Sequence, residues 1–176
     1  MCLNQYKDMV HVLQAVQANS SLHPALASAN FSRVGIFGHS MGAINTASAI
    51  KDYSALSDVG TLGAAVYLHA GSSDPLLNKQ IKIPILTTTG TADADVSPAS
   101  TKRSWEEQSN AHPRVFANLK GAVHNESAVH GRLNPFIAAF FSCHVAQLSG
   151  QCDRVYGNGS ADLCQAHPMQ DCEVVQ

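Results

Sequence analysis

Residues 38–42 read Gly-His-Ser-Met-Gly and lie between a strand-like run, residues 33–37, and a helical stretch. A serine flanked by glycines at a strand-to-helix turn can expose its hydroxyl on a strained backbone, because the glycines leave room for the turn. Such a hydroxyl becomes nucleophilic when a base accepts its proton. We therefore predict that Ser40 is a catalytic nucleophile. The backbone N–H of Met41, at the start of the helix, is predicted to bind the oxyanion formed on attack.

An acid and a base follow Ser40 along the chain, each after a later strand-like run. Asp93 comes after the run 81–88, and His124 comes after the run 114–119. Ligands of open α/β sheets bind at the carboxyl ends of the strands, so these side chains are predicted to meet Ser40 there. His124 would act as general base and then acid, while Asp93 would orient its ring.

The apolar pattern of the chain predicts an alternation of helices and strands around these residues. Helices are predicted over residues 5–18, 41–51, 99–109 and 136–141, and strands over residues 33–37, 62–68, 81–88 and 114–119. Alternation of this kind is typical of a parallel sheet with helices on both faces. The predicted fold class is therefore α/β, with a mostly parallel, doubly wound sheet.

Composition excludes two classes of partner. The net charge of −2 leaves no basic stripe, so we expect no nucleic-acid partner. No apolar run approaches the roughly 20 residues that cross a bilayer, so no transmembrane segment is expected. The residue types at the predicted site need neither a metal nor an organic cofactor. The sequence carries no information about oligomeric state.

Four of the five cysteines lie in the last part of the chain, at positions 143, 152, 164 and 172, while Cys2 stands alone near the start. Clustered cysteines predict two disulfides, of open connectivity, and an oxidising compartment. Zinc is the alternative, because Cys164, His167 and Cys172 could supply ligands. Four Asn-x-Ser sequons, at Asn19, Asn30, Asn125 and Asn158, also fit a secreted protein. Residues 1–145 are predicted as the main domain and residues 146–176 as a disulfide-stapled tail.

Together these motifs resemble the serine-esterase branch of the α/β-hydrolases, near the dienelactone hydrolase-like, cutinase-like and polyester hydrolase-like enzymes. The matching segments are residues 38–42, residues 84–98 with Gly-Thr-Ala-Asp ending at Asp93, and residues 119–124. The resemblance implies hydrolysis of a small-molecule or lipid-like carboxylic ester through an acyl-enzyme. It also implies that the triad is Ser40, Asp93 and His124. A lipase, thioesterase or peptidase of the same fold remains an alternative, as does a non-catalytic module.

The chain departs from the family pattern at two places near the predicted site. Polyester hydrolases have one residue fewer between the acid and the Val-x-Pro turn, which keeps Asp95 open as a rival. Residues 69–72 stand where such enzymes often present an aromatic side chain, which argues against aromatic polyester substrates. His39 and His69 are candidate substrate-binding residues. The alternatives are that His39 is a packed neighbour of the nucleophile and that His69 is structural.

The largest departure lies upstream of the serine. Family members place several strands and the first oxyanion-hole residue before the nucleophile, whereas Ser40 is only forty residues from the first residue given. We therefore expect the sequence to represent the C-terminal portion of an α/β-hydrolase fold, from a longer chain or a truncated gene product. Strand 33–37 would then be left as an exposed apolar edge.

Overall fold

A five-stranded sheet organises the chain in the computed structural model, which describes residues 5–56, 58–71 and 74–176. The strand order follows the sequence, β1-β2-β3-β4-β5, and the first four strands are parallel to one another. The fifth strand is antiparallel to β4 and forms one edge. The structure therefore confirms a mostly parallel α/β arrangement. Two residues named in the sequence analysis, Cys2 and Ser72, lie outside the described residues.

The helices and strands alternate along the chain as the parallel arrangement requires. The strands are β1 (Arg33–His39), β2 (Thr61–Leu68), β3 (Ile85–Gly90), β4 (Arg114–Leu119) and β5 (Met169–Val175). The helices are α1 (Gln5–Ala18), α2 (Pro24–Ala27), α3 (Met41–Leu56), α4 (Pro75–Gln80), α5 (Pro98–Glu107), α6 (Glu126–Val129), α7 (Asn134–His144), α8 (Asp153–Tyr156) and α9 (Leu163–Ala166). Short 3₁₀ turns lie at Ser20–Leu22 and Ser149–Gln151.

The sheet is covered on both faces because its central strands are apolar on both sides. On β2, Ala64, Val66 and Leu68 join one core cluster with α7, while Ala65 and Tyr67 join a second cluster with α3. Continuous burial of this kind is characteristic of parallel strands that lie between two helical layers. Small residues on α3, such as Ala43 and Ala47, are fully buried and let that helix approach the sheet closely.

Local signals fix where several elements begin. Asp74 and Ser97 accept hydrogen bonds from the backbone N–H groups of Leu76 and Ser100, so they cap α4 and α5. A proline follows each cap at the first helical position, where a missing N–H costs nothing. A polar cap followed by proline thus explains why α4 and α5 begin where they do, after the loops that follow β2 and β3.

Several elements differ from the predictions in extent or were not predicted. The strand predicted over 81–88 begins only at Ile85, because Ile81 closes α4 with an N–H to Asn78 hydrogen bond and Pro84 lacks an N–H. Helix α3 continues to Leu56, beyond the predicted end at residue 51. The fifth strand, Met169–Val175, was not predicted, since it is polar and exposed on much of its length.

The cysteine-rich tail is tied to the sheet by covalent and polar contacts. Cys143–Cys152 joins the end of α7 to the start of α8, and Cys164–Cys172 joins α9 to β5. The predicted pair of disulfides is confirmed, and it is compatible with an extracellular protein. On α5, Lys102 forms ion pairs with Asp171, at 3.0 Å, and with Glu173, both on β5. The tail thereby supplies an edge strand to the domain.

None of the helices in the described part of the chain combines the length and the apolar character that a bilayer-crossing segment needs.

We predict that the Cys164–Cys172 disulfide keeps β5 on the sheet. Replacing both cysteines by alanine releases a cross-link with a sequence separation of 8. Chain entropy then predicts a loss of about 2.5 kcal/mol in the free energy of unfolding, measured by urea titration. The matched control is the Cys143→Ala/Cys152→Ala pair, with a separation of 9. Both variants lose similar stability, but only the first accelerates amide hydrogen exchange in residues 169–175. Unchanged exchange there would contradict the assignment.

Candidate active site

Ser40 lies at the turn between β1 and α3 with a φ of 56°, a left-handed conformation that is uncommon for a residue with a side chain. Its backbone N–H donates to the Leu68 carbonyl at 2.9 Å, which holds the turn against the end of β2. The turn also brings the backbone at Gly38 against that at Gly42: a Cβ on Gly38 would lie 2.2 Å from the Gly42 oxygen. A Cβ on Gly42 would meet nothing within 4 Å. Of these two glycines, Gly38 is thus the one that close contact requires.

Asp93 follows β3 and is held from several directions. Its Oδ1 accepts the backbone N–H groups of Asp95 and Val96, at 3.0 and 2.8 Å. His124 Nδ1 lies 3.1 Å from Oδ1 and 3.0 Å from Oδ2. Burial alone would raise the pKa of Asp93, but the hydrogen bonds from His124, Val96, His69 and Asp95 hold it below its usual value. The rival acid, Asp95, is exposed and contributes its N–H.

His124 follows β4 and meets Asp93 as the sequence predicted. Because Nδ1 donates to the carboxylate, Nε2 is the ring atom that could accept a proton from a substrate or a hydroxyl. The side chain is 13% exposed, so the ring remains accessible. Among the described residues, no hydrogen bond joins the Ser40 hydroxyl to His124. The structure therefore joins Asp93 to His124 directly. Ser40 is not bonded to them, but it follows His39, which contacts His124.

The ring of His39, the residue before Ser40, contacts both the backbone and the ring of His124. Its Nε2 donates to the His124 carbonyl at 2.8 Å, and the two ring centroids are 4.6 Å apart. A cavity of about 310 Å³ opens beside this pair. Its lining consists of Phe37, His39, Leu68, Asn125, Ser127 and Ala128. His39 is thus a packed neighbour that also faces a partly apolar cavity, where a substrate contact remains a prediction.

His69 follows β2 and contacts Asp93 from the side opposite the backbone donors. Its Nδ1 lies 2.7 Å from Oδ2, and the residue is only 1% exposed. Burial lowers the pKa of His69 below its usual value, although Asp93 acts in the opposite direction. The sequence suggested a substrate-binding or a structural role for this residue. The structure buries the ring against the acid instead of presenting it on the surface, because the chain turns inward there with a φ of 52°.

One group of side chains has the spacing of a metal site in the described parts of the chain. The nearest ligand atoms of His69, Asp93 and His124 all lie within 4.8 Å of one another. In the structure these atoms are already joined by hydrogen bonds, in which both ring Nδ1 atoms face one ionised carboxylate. The geometry is therefore that of an acid between two imidazole donors. The zinc alternative for the tail is wrong, because Cys164 and Cys172 form a disulfide.

An ion pair between a buried carboxylate and a partly exposed guanidinium supports the loop that carries His124. Glu126 is fully buried, and Arg132 donates to its two oxygens through Nε and Nη2, each at 2.7 Å. Arg132 also reaches the Lys120 carbonyl at the end of β4. Burial alone would raise the pKa of Glu126, but Arg132 holds it below its usual value. Sequence reasoning missed this pair, since an isolated glutamate and an isolated arginine six residues apart carry no pattern that distinguishes them from solvated charges.

The two glycines around Ser40 are expected to respond differently to alanine. Gly38→Ala forces a Cβ into the Gly42 backbone and should lower the free energy of unfolding by about 2–3 kcal/mol. Gly42→Ala meets open space inside α3 and should leave stability within about 1 kcal/mol of the parent, on the stabilising side. Urea unfolding of both variants, followed by circular dichroism, measures the difference. Equal losses would mean that the turn is not packed as described.

Removing only one partner of the Glu126–Arg132 pair should destabilise the fold more than removing both. Arg132→Met leaves a buried carboxylate without its partner, so we expect a loss of about 3 kcal/mol in unfolding free energy. The matched control is the double variant Glu126→Met/Arg132→Met, which removes both charges and should recover most of that loss. Thermal and urea unfolding provide the comparison. A double variant as unstable as the single one would show that the pair does not support this loop.

Comparisons with known proteins identify no relative from which the role of this site could be taken. No protein-family model matches the chain, and a search of curated proteins finds no significant match. The functional assignment therefore depends on the arrangement of Ser40, Asp93 and His124 at one edge of a parallel sheet.

Proposed function

We propose that this chain is a serine hydrolase that cleaves carboxylic esters through an acyl-enzyme, with Ser40, His124 and Asp93 as its triad. The observation that carries the proposal is the contact between Asp93 and His124, which lie 31 residues apart in the sequence. Their hydrogen bond orients the ring in the tautomer that a general base requires. The strained turn at Ser40, at the same edge of the sheet, supports the nucleophile.

The proposed reaction has two steps through one covalent intermediate. Ser40 Oγ attacks the ester carbonyl carbon while its proton passes to His124 Nε2, and the carbonyl oxygen becomes an oxyanion. The tetrahedral species collapses when the carbon–alkoxide bond breaks and His124 returns the proton to the departing alcohol. Water then attacks the acyl-enzyme, again with His124 as base, and the acid leaves with Ser40 restored. Asp93 stabilises the imidazolium in both steps and stays ionised.

The distance between Ser40 and His124 must close for this reaction. Their hydrogen bond is not formed in the structure, and such bonds are often long without substrate and tighten in the complex. Met41 opens α3, so its N–H is among the donors without an intrahelical partner and can face the oxyanion. In the enzymes that the sequence resembles, a second donor completes the oxyanion hole, and loss of one such donor slows the reaction by about 10²–10³-fold.

The family and substrate class belong to the same proposal. The residues that carry the resemblance are those of α/β-hydrolase esterases, and the partly apolar cavity beside His39 supports a small-molecule or lipid-like ester. Two disulfides support a secreted protein. A lipase, thioesterase or peptidase would use the same three residues, so the substrate screen, and not the triad, separates these activities.

We predict that a fluorophosphonate probe forms a single covalent adduct on Ser40. Intact-mass spectrometry should show one added phosphonyl group in the parent chain and none in Ser40→Ala. Asp93→Asn should slow labelling by about 10³–10⁴-fold, because the amide favours the wrong ring tautomer of His124. Asp95→Asn is the matched control, since Asp95 is exposed and offers only its backbone N–H, and it should label at close to the parent rate.

Two results would overturn the proposal. A folded parent chain that forms no adduct would favour the non-catalytic module, and labelling that survives in Ser40→Ala would place the reactive group elsewhere. If Asp95→Asn slowed labelling more than Asp93→Asn, the acid would be Asp95. Hydrolysis of p-nitrophenyl esters of increasing acyl length, measured on the same samples, would then define the substrate class.

A further inference from the structure

Asp93 is contacted by a second histidine that the triad does not use. His69 Nδ1 lies 2.7 Å from Oδ2, shorter than the 3.0 Å between His124 Nδ1 and the same oxygen. Both side chains of the His69–Asp93 pair are buried, with exposures of 1% and 0%. The carboxylate is therefore enclosed by two backbone N–H groups on Oδ1, by His69 on Oδ2, and by His124 across both oxygens.

The position of His69 is one that a purely structural side chain would not favour. Its backbone has a φ of 52°, a conformation that costs a residue with a side chain about 1 kcal/mol or more. Its Nε2 is buried and has no hydrogen-bond partner in the described ranges, residues 5–56, 58–71 and 74–176. An unsatisfied buried polar atom is also costly, and such costs concentrate at functional sites. The backbone is held in this conformation by the His69 N–H, which donates to the Thr88 carbonyl at 2.8 Å.

The charges around His69 fix the form of its ring. The ionisable groups that act on it are Asp93, His124 and His39, and the two other histidines oppose a further positive charge. Since Asp93 is ionised, its Oδ2 can only accept a hydrogen bond from His69 Nδ1. The His69 ring therefore carries its hydrogen on Nδ1 and a lone pair on the enclosed Nε2. A neutral ring in this tautomer satisfies the acid without adding charge to the cluster.

We propose that His69 is a positioning residue for the hydrolase: its Nδ1–H holds Asp93 Oδ2, so that the carboxylate stays turned toward His124 through the reaction. This inference rests on the proposed function of Ser40, Asp93 and His124. His69 touches neither substrate nor nucleophile in this role. It acts through Asp93. The hydrogen bond from His69 partly neutralises the carboxylate, so His124 experiences less of its negative charge.

Two substitutions separate the hydrogen bond from the volume of the ring. His69→Phe keeps a ring but removes the donor, and it should lower kcat/KM for p-nitrophenyl acetate by about tenfold or more. Without that donor, Asp93 attracts a proton on His124 more strongly, so the acidic limb of the pH–rate profile should move to higher pH by about half a unit. His69→Asn places an N–H donor where Nδ1 lies and should restore both quantities toward the parent values.

The sign of the pH shift distinguishes this role from simple damage. If His69 only filled space, His69→Phe would leave the limb in place. If the substitution displaced Asp93, the limb would move to lower pH. His11→Phe, on the exposed face of α1, is the matched control and should change neither quantity. A His69→Phe variant with the parent rate and profile, in a chain that labels at Ser40, would overturn the inference and leave the proposed function intact.

A spectroscopic measurement tests His69 even if the chain proves inactive or His69→Phe fails to fold. Long-range proton–nitrogen correlation of the histidine rings in the parent chain should show His69 neutral and protonated at Nδ1 between about pH 5 and 8. An Nε2-protonated or freely titrating His69 would contradict the inference. The fluorophosphonate result on Ser40 is independent of this spectrum, so failure of the proposed function and failure of the inference are distinguishable.

Discussion

The site depends on the hydrogen bonds that join the end of each parallel strand to its neighbour. Ser40 N–H donates to Leu68 O, His69 N–H to Thr88 O, and Thr91 N–H to Leu119 O, at 2.9, 2.8 and 3.1 Å. Each bond continues the sheet by one residue into the loop that carries a polar side chain. The in-sequence strand order then places four successive loops along one edge of the sheet. Side chains from distant parts of the chain meet because the backbone, and not their own attraction, brings them there.

Within that frame, a single buried negative charge organises the polar groups. The Asp93 carboxylate has no exposed surface, and a buried charge is tolerated only when hydrogen bonds replace the lost water. Four donors do so here, two from the backbone and two from histidines. The neighbouring loop repeats the solution with Glu126 and Arg132. Both loops at this edge are thus made rigid by carboxylates that could not remain buried alone.

Sequence reasoning predicted features that depend on local pattern. The turn at Ser40 and the order of Asp93 and His124 follow from spacing, and four strands follow from apolar runs. It missed β5, whose mostly polar residues carry no strand-like pattern: β5 pairs with β4 in an antiparallel backbone ladder and is tied down by the Cys164–Cys172 disulfide and by Lys102 of α5. It also missed the contact of His69 with Asp93, because that contact requires the positive φ after β2 and the register of β2 on β3. Such features belong to tertiary structure, and nothing in a single chain's pattern encodes them.

The strand that precedes Ser40, β1, lies at one of the two edges of the sheet in the described part of the chain. Phe37 is 59% exposed there, and Met41, just beyond the turn, is 71% exposed. Free N–H and C=O groups beside exposed apolar side chains form a template on which other strands can grow. The proposed nucleophile, Ser40, therefore follows an edge strand whose exposed backbone favours self-association. Purification at low protein concentration would therefore protect both the turn at Ser40 and the solubility of the sample.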